Sequence, residues 1–207
     1  MNYPTYTLMQ LSSFKKMIAQ IKDAKFTDMI FHAAATGGTL LFSDAHLDMV
    51  RIGMGLYGYF PSLESRIQHN APGLNPMPVL SWKTLVVETK RIPKNSFVGY
   101  DLTEKVHRAT RIAVLPIGYW HGYDRGLSSL GNVLVHGLRA RVIGRVSMDM
   151  IVIDVSDIPD VVTGDVAVLI GSQGKETITA EELGHAIHTS AYEFLTRINP
   201  LIKRIVV

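Results

Sequence analysis

Arg111-Ile112-Ala113-Val114-Leu115-Pro116-Ile117-Gly118-Tyr119-Trp120-His121-Gly122-Tyr123-Asp124-Arg125 joins an apolar, β-branched run to an abrupt glycine-tyrosine stop. The run reads as a strand, and the glycines on either side of Tyr119 mark a turn with unusual backbone angles. A phenol is therefore held at the strand's tip. It is either an ordinary half-buried turn tyrosine or a reactive group. The reactive case requires surroundings that stabilise the phenolate, because an unperturbed phenol ionises only near pH 10. Outward from this stretch the alternation continues: Leu80 to Ile92, Asn132 to His136, Arg139 to Val155 and Asp165 to Ile170. Pro93-Lys94-Asn95 and His136-Gly137 supply turn signals between them. Many strands at short spacing predict a closed β-barrel or a sandwich. Thr179-Ala180-Glu181-Glu182 has the form of a capping box, with Thr179 as N-cap and Glu182 reaching back, and opens one helix. The tail from Leu201 to Val207 reads as a last strand.

Composition narrows the class. The chain has 207 residues, 47% of them hydrophobic, enough for one large domain or two small ones. Lysine and arginine number 21 against 18 acidic residues, and they are scattered. A nucleic-acid binder gathers its excess charge into one patch, so that class is not expected. Arg139, Arg141 and Arg145 share one strand face by alternation, which reads as a solvated face. With no cysteine there is no disulfide framework, zinc-thiolate site or thiol nucleophile. No apolar stretch reaches membrane-spanning length, and MNYPTYTLMQ lacks the form of a secretion signal. His32 and His121 stand apart from other ligand-type residues, so no metal site is expected.

The N-terminal third has another texture. Leu8, Leu11, Phe14, Ile18 and Ile21 recur at spacings of three and four and predict an amphipathic helix over 8–25. Met29 to Ala33 and Met49 to Met54 read as buried strands, each followed by a small, glycine-bearing loop: Thr36-Gly37-Gly38 and Gly53-Met54-Gly55. This is the rhythm of parallel βα units, yet two such units cannot cover both faces of a parallel sheet. Residues 62–78, with Pro72, Gly73, Asn75, Pro76 and Pro78, read as a linker. The two glycine loops are either phosphate-binding amide clusters, with the Thr36 hydroxyl adding a bond, or simple tight turns. Arg51, inside the apolar Met49-Val50-Arg51-Ile52, is either buried against a partner or at a strand end with its head in water. Asp149, within Ser147-Met148-Asp149, marks a bulge, a polar site or an exposed strand position.

In order along the chain, five segments resemble those of the alanine racemases. His32-Ala33-Ala34-Ala35-Thr36-Gly37-Gly38-Thr39-Leu40 is similar to the family's HAANSAATL. Met49 to Gly58 is similar to MVRPGIALYG, Pro116 to Tyr123 to PIGYADGY, and Gly144 to Asp149 to GRICMDQ. Tyr192 to Arg197, followed by Arg204, is similar to YEILTRLSPRVPR. The resemblance implies a mostly β fold with an α/β N-terminal part. Residues 1–61 would be the last βα units of a (β/α)8 barrel that binds pyridoxal phosphate, 62–78 a linker, and 79–207 the β-barrel-like C-terminal domain. It implies an isomerase that interconverts L- and D-alanine and supplies D-alanine for peptidoglycan, working as a cytoplasmic dimer.

By the same resemblance Tyr119 is the catalytic base on one face of the substrate, and Arg51 meets the pyridine nitrogen of the cofactor. Thr36, Gly53 and Met54 hold its phosphate, and Met148 meets the substrate carboxylate through its backbone. The family's Schiff-base lysine lies near the start of the barrel, outside this stretch. The chain is therefore expected to be incomplete and inactive alone, and to work as a homodimer or with a complementary barrel-bearing chain. Three departures stand out: His121 replaces an aspartate, Trp120 an alanine, and Ala35-Thr36 an asparagine-serine pair. Relatives preferring serine share these motifs, so alanine and serine both remain open as substrate. A non-catalytic β module kept for dimerisation or regulation is the alternative function.

Overall fold

The structure is a computed structural model that describes residues 4–68 and 74–207. The middle of the expected linker, 69–73, lies outside the described residues. The chain divides into two compact units, Met1–Val79 and Leu80–Val207.

In the first unit, helix α1 (Pro4–Asp23) opens with proline in its first turn, where a missing N–H costs nothing. Leu11 is its one buried residue. It joins Ala34 and Ala45 in a small cluster closed by Phe42 and Val50. Helix α2 (Thr36–Leu41) takes in the first expected glycine loop, Thr36-Gly37-Gly38, as its opening turn, and α3 (Leu63–Gln68) lies within the stretch expected to be linker. The two predicted strands are not formed as ladders. What remains is a single parallel bridge, Ala35 to Arg51, reinforced by the Arg51 amide donating to the Ala34 carbonyl at 2.8 Å. Met29 and Ile30 are exposed, against the expectation that they be buried. A parallel strand needs hydrogen-bonded neighbours, and these two runs find only each other.

The second unit is the β domain. Its strands are β1 (Trp82–Leu85), β2 (Glu88–Ile92), β3 (Phe97–Val98), β4 (Glu104–Lys105), β5 (Thr110–Leu115), β6 (Asn132–Val135), β7 (Leu138–Arg141), β8 (Ile151–Asp154), β9 (Val166–Gln173) and β10 (Glu176–Ile178). One sheet runs β1-β9-β6-β7, with β10 also on β9; a second runs β2-β5-β8; β3 and β4 form a hairpin. A bridge from Val142 to Ile153 carries the chain from one sheet toward the other. The single run expected from Arg139 to Val155 is thus two strands in different sheets, with Ser147-Met148-Asp149 in the loop between them. Strand β5 is buried on both faces (Ile112, Ala113, Leu115), as a central strand should be. Val133 to Val135 and Ala167 to Ile170 supply the other sheet's core. His136-Gly137 turns the β6–β7 hairpin with both residues at positive φ, 52° and 75°, the requirement of a two-residue primed turn.

Two short helices, α4 (Ala180–Ala186) and α5 (Ala191–Thr196), close the domain with Leu183 and Phe194 buried. Thr179 caps α4 by accepting the Glu182 amide at 3.1 Å. The Glu182 carboxylate does not reach back. It is taken by Arg139, which also holds Glu176 at 2.8 Å and the Thr177 carbonyl at 2.8 Å. The arginine face read as solvated is therefore an ion-paired one: Arg141 pairs with Glu104 at 2.8 Å and Arg145 with Asp101 at 2.9 Å. The tail from Leu201 to Val207 is not a strand. It finds no ladder partner and is largely exposed. The fold is mostly β with a short helical N-terminal part. Among the described residues no helix is long and apolar enough to cross a membrane.

Candidate active site

In the first unit the two glycine loops meet. Thr36, 5% exposed, places Oγ1 between them and accepts the amides of Gly53 at 3.3 Å and Gly55 at 3.4 Å. Its own O–H is left to donate. Ala35, the N-cap of α2, offers no side-chain acceptor to the first turn of that helix. Met54 is buried and begins a 3₁₀ turn that runs to Tyr57. Arg51 is exposed, not buried. Its guanidinium is held at its base by the His32 ring Nδ1, by the His32 carbonyl at 3.4 Å and by the Ala33 carbonyl at 3.2 Å. An always-charged, planar donor set is thereby fixed in direction while its face stays open to solvent. Thr36, Gly53, Met54 and Arg51, singled out separately along the chain, belong to one cluster of loops.

In the second unit the turn after β5 is built by close backbone approach. A Cβ on Gly118 would lie 2.2 Å from the Ser147 carbonyl oxygen and 2.5 Å from that of Met148. Only glycine lets the two segments touch. They then pair: the Tyr119 amide donates to Ser147 at 3.0 Å and the Trp120 amide to Met148 at 2.9 Å. Tyr119 and Met148 are thus adjacent through the main chain, both with exposed side chains. Asp149 is exposed in the tight turn in which Ser147 donates from both its amide and its hydroxyl to the Met150 carbonyl. Within the Tyr119–His121 turn, the Gly118 amide donates to His121 Nδ1 at 3.1 Å. From the C-terminal side Asn199 clamps the same turn, its amide on the His121 carbonyl and its Nδ2 on the Trp120 carbonyl, both at 3.0 Å.

Tyr119 opens onto a cleft of about 580 Å³ lined also by Gly122, Asp124, Arg125 and Arg197. Arg197 is fixed by Asp124 at 2.7 Å and by Glu193, so the cleft wall carries a cation already neutralised by two carboxylates. Next to it, Tyr123 is fully buried. Burial pushes its phenol well above the ordinary range, with the charge of Glu182 adding to the effect.

A second exposed tyrosine was not singled out by sequence reasoning. Tyr100 follows Gly99 (φ 76°) and precedes Asp101 (φ 62°) and Leu102 (φ 52°). Left-handed backbone at two adjacent non-glycine residues is strain, and strain of this kind concentrates at functional sites. Arg145 lies against the turn, its Nε 2.9 Å from the Asp101 carboxylate at an angle that does not make a hydrogen bond. The signal that could have found Tyr100 is the one that found Tyr119: a glycine and then a tyrosine at the end of a strand.

Residues 79–206 match the family described as alanine racemase, C-terminal domain, and residues 2–61 match alanine racemase, N-terminal domain. An alanine racemase of Leptospira interrogans is 44% identical over 207 residues, 98% of this chain and 53% of the relative. One from Methanococcus maripaludis is 38% identical over 201 residues, 52% of its length. Among solved structures, alanine racemase from Bacillus anthracis with bound L-Ala-P superposes with a TM-score of 0.87 at 32% identity, covering 95% of this chain and 50% of that one. The Bartonella henselae enzyme with covalently bound pyridoxal phosphate gives 0.82 at 29% identity, covering 98% and 52%. The chain thus spans about half the length of the relatives it matches, and it belongs to the alanine racemase family.

Proposed function

We propose that this chain supplies part of the machinery of a pyridoxal-phosphate-dependent racemase that interconverts L- and D-alanine. The reading rests on the Thr36 hydroxyl, which ties two glycine-bearing segments together close to the oriented guanidinium of Arg51. The residues present fit the cofactor. A phosphate suits the Thr36 O–H and the Met54 main chain; the Gly53 amide, which here donates to Thr36 Oγ1, would have to turn toward it, and an electron-rich ring nitrogen suits Arg51. Bound pyridoxal phosphate supplies a sink for the negative charge left at the α-carbon. Thr36 and the glycine loop would hold its phosphate. Arg51, always charged, would face the ring nitrogen without giving up a proton, which would disfavour transamination.

Racemisation takes a proton from one face of the α-carbon and returns one to the other, so it needs two proton-carrying groups. Tyr119 serves as one of them, at the mouth of its cleft, and the main chain of Met148 beside it meets the substrate carboxylate. The other comes from the family's lysine in the barrel. The physiological form is a cytoplasmic homodimer or a pair with a barrel-bearing chain, and its product feeds peptidoglycan synthesis.

One observation favours a second assignment of the phenol. The backbone around Tyr100 is strained and carries an arginine against it, whereas the Tyr119 turn is relaxed and bonded throughout. In that assignment Tyr100 moves the proton and Tyr119 forms the wall of the cleft.

The test is racemisation of L-alanine, followed as D-alanine formed, by the chain with pyridoxal phosphate alone and with a barrel-bearing chain. Thr36→Val, Tyr119→Phe and Tyr100→Phe are measured alongside. D-alanine formation that Thr36→Val weakens by about tenfold or more in cofactor affinity supports the reading. The tyrosine variant that abolishes α-proton exchange from one enantiomer identifies the base. A chain that folds and pairs but never forms D-alanine is the non-catalytic module instead.

A further inference from the structure

We propose that His121 is a pH-sensitive positioning residue for the Tyr119 turn, anchoring it through a neutral imidazole that accepts the Gly118 amide. The inference rests on the Tyr119 turn belonging to the active site. Four observations carry it. First, the Gly118 amide points at His121 Nδ1 at 3.1 Å. An amide can only donate, so Nδ1 must hold a lone pair and the ring proton must sit on Nε2. Second, the turn has little freedom to adapt. Gly118 is pressed against the Ser147 and Met148 carbonyls, the Tyr119 and Trp120 amides are bonded to them, and Asn199 holds the Trp120 and His121 carbonyls. Third, the ring has an aromatic neighbour: Trp120 meets it edge-on, with centroids 5.0 Å apart and planes at 85°. Fourth, the similar family segment carries an aspartate at this position, and a carboxylate accepts an amide at any pH above its own titration. An imidazole accepts only when neutral.

Protonation of His121 places an N–H against an N–H across 3.1 Å. Either the ring leaves its place against Trp120 or the Gly118-Tyr119 backbone lifts from Ser147 and Met148. Both loosen the phenol. The charged groups on the segments packed against the turn are Asp124 and Arg125, which follow it, Glu193 and Arg197 of α5 and its end, Asp149 beyond Met148, and Arg204, whose guanidinium reaches the Asn199 carbonyl at 3.5 Å. Arg197, a donor only, cannot replace the lost acceptor, and Asp124 and Glu193 are each oriented by their bonds to Arg197. The sign follows: the anchor is in place while His121 is neutral and is lost as pH falls through its titration.

The experiment uses the full ¹⁵N-labelled chain. A pH titration follows the His121 ring and the Gly118 amide together in the wild type, in His121→Asp and in His121→Asn, whose amide oxygen accepts without titrating. The expected result is a Gly118 resonance that moves in step with the His121 ring and stops doing so in both variants. In the complemented enzyme the acid limb of racemisation falls about tenfold per pH unit with the same midpoint, and His121→Asp moves that limb to lower pH. A Gly118 amide that ignores the His121 titration overturns the proposal, as does an acid limb unchanged in both variants. The amide titration needs no catalysis. A preparation that never racemises alanine therefore overturns the enzyme reading and leaves the amide result to decide this one.

Discussion

At Gly118 a single missing methyl group decides whether Tyr119 can sit where it does. The position is not at positive φ (its φ is −153°), so the demand for glycine comes from a neighbour's backbone. Two main-chain oxygens lie within 2.5 Å of where a Cβ would be, and neither can swing away as a long side chain would. Gly118→Ala should cost on the order of 3 kcal/mol and break the Tyr119 and Trp120 amide bonds. The check is thermal unfolding together with loss of the Gly118–His121 coupling in the amide spectrum. Tyr123 shows the opposite economy. Its hydroxyl is buried with no partner among the described residues, and it lies 2.4 Å from where a Cβ on Gly131 would sit. Tyr123→Phe should therefore be neutral or stabilising by about 1 kcal/mol, since a buried donor without a partner is a cost removed. It should also soften the penalty of Gly131→Ala, and a double-mutant cycle measures that coupling. At the residue scale, sequence reading reaches what is local and misses what is not. Thr36, Gly53, Met54, Tyr119 and Met148 stand out as candidates because each lies in a short contiguous motif. The setting of Arg51 does not, because the His32 and Ala33 acceptors that steady it lie 19 and 18 positions away. Tyr100 carries the same Gly-Tyr signal as Tyr119, but the strand before it, Phe97–Val98, is only two residues long, and the left-handed angles at Asp101 and Leu102 leave no mark in residue type.

Strands in the β domain were legible wherever both signals of a strand coincided, alternation and a turn residue at each end, as in β5 and the β6–β7 hairpin. They were misjudged where one signal was missing. Arg139 to Val155 alternates throughout, so periodicity alone could not show that the chain leaves one sheet at Arg141 and enters another at Ile151. The tail alternates too, but a strand is made by its partner, and no sheet edge receives it. Charge pairing between elements was equally hidden. Arg141 of β7 fastens β4 through Glu104, whose carboxyl is held below the ordinary range chiefly by that arginine, against the opposing effect of burial, with Ser129 and Gly144 adding bonds. A carboxylate lowered in the folded state stabilises above its unfolded value, about 4.3, and that contribution disappears as pH falls through the lower folded value. Glu104→Gln should therefore lower stability at neutral pH by at most about 1 kcal/mol, change little at the most acid pH, where the wild type has already lost the contribution, and so flatten the acid side of the stability curve. Urea midpoints measured between pH 3 and pH 7 test this. If the variant loses stability in parallel with the wild type across that range, the Arg141 pair is not the source.

Over the molecule as a whole, burial is divided unequally between the two units. The β domain places Leu115, Leu134, Ile153, Leu169 and Ile170 out of contact with water, and its sheets bond the backbone along their length. In the first unit a 20-residue helix buries only Leu11, and the runs after it share one bridge. A helix in water gains most of its stability from packing one face, and isolated helices of this length are marginal. Opening free energies within one protein range from near zero to the global value, in units that follow local packing. Amides of α1 should accordingly exchange with solvent at least about a hundredfold faster than those of β5, β6 and β9, a gap of roughly 3 kcal/mol. Adding a barrel-bearing chain should slow α1 and the Thr36–Gly55 loops while leaving the β-domain strands as they were, because those strands already bury their own core. Hydrogen exchange read by mass spectrometry, with and without the partner, measures both effects. Protection of α1 equal to that of β9 in the chain alone would show that the first unit is stabilised by something its sparse burial does not contain. Slowing that reached the β strands as strongly would show that the two units share one cooperative core.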